Sequence, residues 1–450
     1  MKKKIGIFVY SRTNYFYLYK LGNILKKNYE IVLILGSSNL EKIHLNKKIK
    51  TINVFFPDDI YDNQKNYNLP QFSIINKIKI FKNLITRILK FFNLYNTKNF
   101  IYFFLKIYLK YVYSFIKFKF VKIDYLIVPG DRETVQELSF IKFSRDRDIP
   151  VLLCPVSSLQ GDEYDLIKDN FREKHLVNSK KFVQKFPKQI KKYRNSSISF
   201  YGHIHTIVYN FLGILPSNPW QIGGGGSCKV FCESMHQFNS KCKKNIISGS
   251  LNTDKISDNL LNFHKYKNKK KNFQLKYNLN KRKLNLFVNL SNLWEHNYLD
   301  YDKHFQLIYL FLNKINIKNL KKKFNLVLFL HPKQEYKNYI HLANKFKITI
   351  VNEPAENFLS FFDCFMSNDS SSLCVWADYL GIPSLVYNMR NIRKSHTLKH
   401  LSNMIYTRSF NVLLNELKSI KRKNYQKKNK NFISKIGKER FINTLKKELT

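Results

Sequence analysis

Near the C-terminal end, the stretch Phe365-Met366-Ser367-Asn368-Asp369-Ser370-Ser371-Ser372 runs from apolar residues straight into a cluster of hydroxyls. A helix-length segment follows, then Gly381-Ile382-Pro383 and a second apolar run, Ser384–Tyr387. The pattern predicts strand, turn, helix, strand, with Ser370, Ser371 and Ser372 where an N-cap belongs. Free N–H groups and the positive end of a helix suit a phosphate there. Two other strand ends carry matching chemistry. His331-Pro332-Lys333 closes the apolar run 325–330, and His331 with Lys333 would neutralise a diphosphate. Asn289 and Ser291 close the run before it and would bind the same phosphates. The plainer reading of each is an ordinary strand-ending turn.

A second group lies in the first half. Gly130-Asp131-Arg132-Glu133 ends an apolar run. Asp131 or Glu133 would serve as a general base or hold a sugar hydroxyl, and Arg132 would grip a phosphate or lock a carboxylate. The alternative is an N-cap followed by solvated first-turn charges. Gly223-Gly224-Gly225-Gly226-Ser227 permits positive φ and close approach to a ligand, and Gly224, Gly225, Gly226 and Ser227 would bind substrate through backbone N–H groups. No Lys-Ser/Thr pair follows, which excludes a P-loop. Asp254, just beyond Gly249-Ser250, is a further substrate-binding candidate. Asp162, Glu163 and Asp165 form an acidic group after the strand 149–154, and His203 and His205 read as structural. Cys228, Cys232, His236 and Cys242 lack the spacing of a zinc knuckle, so no metal is expected.

These residues need a frame to hold them at one edge. Short apolar runs at 5–10, 29–35, 124–129 and 149–154 alternate with helical patterns, and a second such series starts at Leu284. That alternation predicts α/β architecture with parallel sheets covered on both faces. In such sheets, ligands bind beyond the carboxyl ends of the strands. The 450 residues, 44% of them hydrophobic, suffice for two domains. The expected divisions are 1–264, a Lys/Asn-rich linker at 265–283, a nucleotide-binding domain at 284–410 and a basic helical tail at 411–450. Residues 71–120 contain no Asp or Glu and interleave lysines with aromatic and aliphatic residues. They predict a basic amphipathic helical insertion, either attached to an anionic bilayer or packed on the core.

The net charge is +47. The lysines are spread along the chain, as codon bias toward A and T would spread them, so a nucleic-acid partner is not expected. No run reaches the ~18 apolar residues of a membrane span. The expected location is the cytoplasm, with peripheral contact at the inner face of the cell membrane.

Taken together, the two-domain layout, Gly130–Glu133, the glycine turn, Gly249-Ser250 with Asp254, His331-Pro332 and Ser370–Ser372 with Ala377 and Gly381-Ile382-Pro383 resemble the GT-B superfamily. Within it, the chain resembles bacterial surface-polysaccharide glycosyltransferases and, more distantly, hydrolysing UDP-N-acetylglucosamine 2-epimerases and CDP-glycerol glycerophosphotransferases. The resemblance implies two Rossmann-like domains facing a cleft, a nucleotide-sugar as co-substrate and no resident cofactor or essential metal. It also implies diphosphate contacts from His331 and Ser370–Ser372, with a surface-glycan or lipid-linked acceptor on the first domain. Two positions depart from the epimerases. Trp376 stands where they carry a ribose-binding Glu, and no Glu follows Ile149-Pro150-Val151. The expected activity is therefore glycosyl transfer, with a 2-epimerase or a catalytically inactive binding protein of the same fold as alternatives.

Overall fold

The computed structural model describes residues 2–37, 39–40, 49–54, 97–132, 134–156, 176–193, 196–220, 222–227, 229–234, 244–295, 299–317, 320–331, 333–369, 371–391, 396–422, 432–433 and 435–450. The chain divides into two compact units. The first comprises the described residues within Met1–Val156, Arg172–Phe231 and Ser240–Ile246; the second comprises those within Cys232–Asn239 and Ile247–Thr450.

Unit one runs β1 (Lys4–Val9), α1 (Arg12–Leu25), β2 (Glu30–Leu35), β3 (Lys50–Asn53), α2 (Thr97–Lys119), β4 (Tyr125–Val128), α3 (Val135–Arg145) and β5 (Val151–Leu153). It continues with α4 (Lys180–Lys185), the hairpin β6 (Ile190–Tyr193) and β7 (Ser196–Ser199), α5 (His203–Phe211), β8 (Lys229–Cys232) and β9 (Asn245–Ile247). Its main sheet has the order β3-β2-β1-β4-β5-β8-β9, and the pairings from β3 through to β8 are parallel. The order reverses between β1 and β4, so the connections that follow these two strands lead to opposite halves of the sheet. β1 is almost continuously apolar because both its faces are covered.

Helix α2 belongs to the layer covering this sheet. Its Phe104, Ile107 and Phe118 are buried, and Phe118 meets Phe140 of α3 at 5.2 Å between ring centroids. Of the segment 71–120, residues 97–119 form α2, which packs on the core through Phe104, Ile107 and Phe118; residues 71–96 lie outside the described residues.

Unit two begins with α6 (Asp254–Leu260) and α7 (Phe263–Lys276), then β10 (Leu284–Asn289), α8 (Tyr301–Ile317), β11 (Phe324–Phe329), α9 (Tyr336–Lys345) and β12 (Thr349–Val351). It ends with β13 (Cys364–Ser367), α10 (Leu373–Tyr379), β14 (Ser384–Tyr387), α11 (His396–Lys399), β15 (Met404–Thr407), α12 (Phe410–Ser419) and α13 (Lys438–Leu449). The sheet order is β12-β11-β10-β13-β14-β15, parallel throughout. This is the doubly wound Rossmann order, with its switch point between β10 and β13. Alternate side chains fill two separate cores. Phe287, Phe329 and Phe365 face one layer of helices, and Leu286, Leu328 and Met366 face the other.

Two expectations about organisation are corrected. Residues 265–283 are not a linker. Most of them form α7, whose Tyr266 and Phe273 enter the core of unit two, and the Tyr266 hydroxyl donates to the Ser360 carbonyl at 2.9 Å. Two aromatic anchors seven residues apart hold a helix whose other positions are mostly Lys and Asn, so composition alone conceals it. The division between units accordingly falls near residue 246 rather than 264. The basic C-terminal stretch is also integral. Phe432, Ile436, Phe441, Leu445 and Leu449 are buried at helical spacing. The Ile436 carbonyl accepts from the Ser250 backbone N–H and the Thr253 hydroxyl, both at 3.0 Å. Gly249 allows this approach: at φ 80° it lies in the left-handed region, and a Cβ there would meet the Gly437 carbonyl at 2.8 Å.

Candidate functional sites

In unit two, four adjacent strands deliver polar residues to the carboxyl edge of one sheet. β10 ends in Asn289 and Ser291, β11 in His331 and Lys333, β13 in the Asn368–Ser372 turn, and β14 in Asn388 and Arg390. The switch point is stitched by side chains. Asn289 Nδ2 donates to Ser367 Oγ at 3.1 Å. The Ser291 N–H donates to Asn368 Oδ1 at 2.7 Å, and Asn368 Nδ2 returns a bond to Ser291 Oγ at 3.1 Å.

The β11 edge is fixed by Gln334. Its Oε1 accepts from the His331 N–H at 2.7 Å. Its Nε2 donates to the Ser291 carbonyl at 3.1 Å and to the Tyr339 hydroxyl at 3.0 Å. One buried amide therefore ties together the two loops that carry Ser291 and His331. The His331 ring accepts at Nδ1 from the Lys333 N–H at 3.2 Å, which leaves Lys333 itself exposed.

Behind Gln334 lies a buried polar cluster. Tyr339 donates its only hydroxyl hydrogen to Glu295 Oε1. Its oxygen also contacts His304 Nε2 at 2.9 Å. With that hydrogen committed, the contact requires His304 Nε2 to carry the proton and donate. His304 is fully buried, and burial first, then the Arg390 charge, lowers its pKa from 6.5 to about 4. Glu295 Oε2, at 3.8 Å from Nε2, would pull the other way, but the Glu295 carboxyl is itself pushed up by burial and already accepts from Tyr339. The neutral ring prevails.

On the β13–β14 side, Arg390 grips the buried Asp369 carboxylate with Nη2 at 2.6 Å and Nε at 3.1 Å. Ser371 Oγ accepts from the Leu373 N–H at 3.3 Å, while Ser372 occupies the N-cap position without a side-chain bond. Ser370 lies outside the described residues. Helix α10 has only seven residues, so its dipole is small and an anion here would depend on side chains and loop N–H groups. Trp376 is buried and donates its indole N–H to the buried Glu233 carboxylate at 2.7 Å. The carboxylate that Trp376 meets is supplied from just after β8.

In unit one, Asp131 and Arg132 lie against the segment that holds the glycine turn. Asp131 is fully buried. It accepts from the N–H groups of Gly225 at 2.9 Å and Gly223 at 3.4 Å, and from Ser227 Oγ at 3.3 Å. Burial raises its pKa against the opposing pull of these bonds and of Arg132. A Cβ at Gly225 would fall 1.5 Å from the Asp131 carbonyl oxygen, so this position requires glycine. Arg132 is engaged too: its Nη1 donates to the Pro219 carbonyl at 2.8 Å and its guanidinium lies 5.6 Å from the Phe200 ring centre. The Gly225 N–H, expected to face a ligand, instead faces Asp131, as does the N–H of the adjoining Gly223.

Glu133, Asp162, Glu163, Asp165, Cys228, His236 and Cys242 lie outside the described residues. Asp254 is in unit two, buried at the start of α6. The sequence reading missed Gln334, Glu295, Tyr339, His304, Asp369, Arg390 and Glu233. Arg390 carried a signal in its place just after the last motif strand; the others become visible only through their bonds.

No protein-family model matches the chain, and no curated protein matches it in sequence. Solved structures do. CalG4, the calicheamicin glycosyltransferase, superposes with a TM-score of 0.51 at 8% identity, covering 100% of this chain and 99% of its own. MnaA of S. aureus, solved with UDP, gives 0.47 at 12%, covering 99% and 97%. The Methanocaldococcus jannaschii UDP-GlcNAc 2-epimerase, solved with UDP-GlcNAc and UDP, gives 0.46 at 15%, covering 99% of each chain. Two parallel doubly wound sheets in this order, together with the likeness to CalG4, give the chain the GT-B fold of two Rossmann-like units.

Proposed function

We propose that the chain is a GT-B glycosyltransferase moving a sugar from a nucleotide-sugar to a surface-glycan or lipid-linked acceptor. The observation that carries this reading is the polar edge of unit two. Asn289, Ser291, His331, Ser371, Ser372 and Arg390 follow the carboxyl ends of β10, β11, β13 and β14, the four strands about the switch point of a Rossmann sheet, where buried bonds from Gln334 and Asn368 fix the loops that carry Ser291 and His331. That is where an open α/β sheet binds a nucleotide. His331 and the serines take the diphosphate, with Lys333 and Arg390 supplying positive charge. Preorganised donors there stabilise the departing diphosphate as its charge develops.

The proton-accepting role is assigned to Glu133. Asp131 is assigned to holding the glycine loop, because three donors already occupy its carboxylate. Trp376 and the missing Glu after Ile149-Pro150-Val151 favour transfer over epimerisation.

The test is thermal shift of the purified protein with UDP, CDP, GDP and their sugar conjugates. A ligand binding only the folded state at about a hundred times its Kd adds ~2.7 kcal/mol of stability. One nucleotide is expected to raise Tm, and His331→Ala is expected to remove the shift. Release of free nucleotide and epimerised sugar without any acceptor would establish the epimerase instead. No shift with any nucleotide on folded protein would overturn the reading.

A further inference from the structure

Helix α2 carries two apolar stripes where a core-packing helix needs one. The first, Phe104, Ile107 and Phe118, is buried in unit one. The second follows the opposite side through Leu105, Leu109, Val112 and Ile116, at the same three-to-four-residue spacing. On this side Leu109 is 44% exposed, Ile116 48% and Phe120, just past the helix end, 74%. Side chains of this kind are enriched where a surface meets a partner.

The charge around the stripe selects the partner. Between Lys98 and Lys122 there are six lysines and no acidic residue. Lys117 Nζ lies 5.2 Å from the Tyr113 ring centre and Lys119 Nζ 4.8 Å from that of Phe115. Their stems follow aromatic rings, with the ammonium groups at the border of the apolar surface. An ammonium above an apolar face suits the boundary between lipid headgroups and acyl chains. No helix among the described residues is long and apolar enough to cross a membrane, so the helix would lie on the surface.

We propose that the outer face of α2 docks unit one onto an anionic lipid bilayer, with Leu109, Ile116 and Phe120 entering the acyl boundary and Lys117 and Lys119 meeting acidic headgroups. The proposal is independent of the donor chemistry assigned to unit two.

The experiment is co-sedimentation of the full chain with phosphatidylcholine vesicles, with and without phosphatidylglycerol. Binding is expected only with phosphatidylglycerol, and is expected to weaken as salt is raised. The double variant Leu109→Glu/Ile116→Glu is expected to reduce partitioning at least tenfold on the order set by losing two inserted side chains. Both positions face outward, and an unchanged Tm would verify folding. Because the chain is strongly basic throughout, Lys255→Gln/Lys267→Gln in unit two serves as a control with the same change in net charge and is expected to leave binding within about twofold. Equal loss in both double variants would show that bulk charge drives binding and would overturn the proposal. So would no binding at all, or a wild-type dimer dissociated by Leu109→Glu/Ile116→Glu, which would assign the stripe to a second copy. If both variants unfold, single Lys117→Gln and Lys119→Gln variants carry the test, each expected to weaken binding about fivefold.

Discussion

Holding His304 neutral inside unit two makes stability depend on pH, with a sign and size set by its surroundings. Its pKa is lowered from 6.5 to about 4 by burial and the Arg390 charge. Between these values the unfolded chain binds a proton that the folded chain refuses, so stability falls as pH drops through this window. The contribution is fully present above about pH 6.5 and fully lost below about pH 4. A shift of roughly 2.5 units at ~1.36 kcal/mol each gives about 3 kcal/mol in total, of which about 2 kcal/mol is gone by about pH 5. Glu295 titrates against this trend, because a carboxyl pushed up by burial takes its proton more readily in the folded state. The comparison must therefore cancel Glu295. His304→Gln keeps a donor near the position of Nε2, facing the Tyr339 hydroxyl, and removes only the titration. Urea unfolding of both proteins at about pH 7.5 and pH 5 gives two differences in stability. The wild type is expected to lose about 2 kcal/mol more than the variant over this interval. Parallel losses would refute the neutral assignment of His304, though not the donation from Nε2 to the Tyr339 oxygen, which a protonated ring would make as well.

Asp131→Asn keeps the shape but presents an NH2 group to at least one donor of the glycine loop; an expected loss of about 2–3 kcal/mol is measurable by urea unfolding. Gly225→Ala forces a methyl group against the Asp131 carbonyl and should destabilise by at least about 3 kcal/mol in urea unfolding or prevent folding. Trp376→Phe removes the indole N–H from the buried Glu233 carboxylate, at an expected cost of about 2 kcal/mol by urea unfolding. Arg390→Ala leaves the buried Asp369 carboxylate without its cation; a Tm lowered by the equivalent of about 3 kcal/mol is expected, with partial rescue by Asp369→Asn in the same chain.

Much of the fold was legible as a sequence. A parallel strand covered on both faces must be apolar at consecutive positions, and Ile5–Val9, Leu126–Val128 and Phe365–Met366 announce themselves in that way. Strand ends in such sheets bear ligands, so Asn289, Ser291, His331 and the serine turn could be grouped before their contacts were known. Helix α7 and the C-terminal helix stayed hidden because a few apolar side chains at helical spacing anchor segments that are otherwise Lys and Asn.

What only the tertiary structure decided is what each polar group is bonded to. Sequence placed Asp131 and the glycine loop at strand ends, but 92 and 94 residues separate Asp131 from Gly223 and Gly225, and nothing local reveals that the carboxylate faces those N–H groups. The same holds for Gln334 joining Ser291 to His331, for Glu233 reaching Trp376 across 143 residues, and for the outward side of α2. Apolar burial is periodic and therefore written along the chain. Hydrogen-bond partners are set by where folding brings distant segments together, and one polar residue has the same letter whether it meets a ligand or another residue.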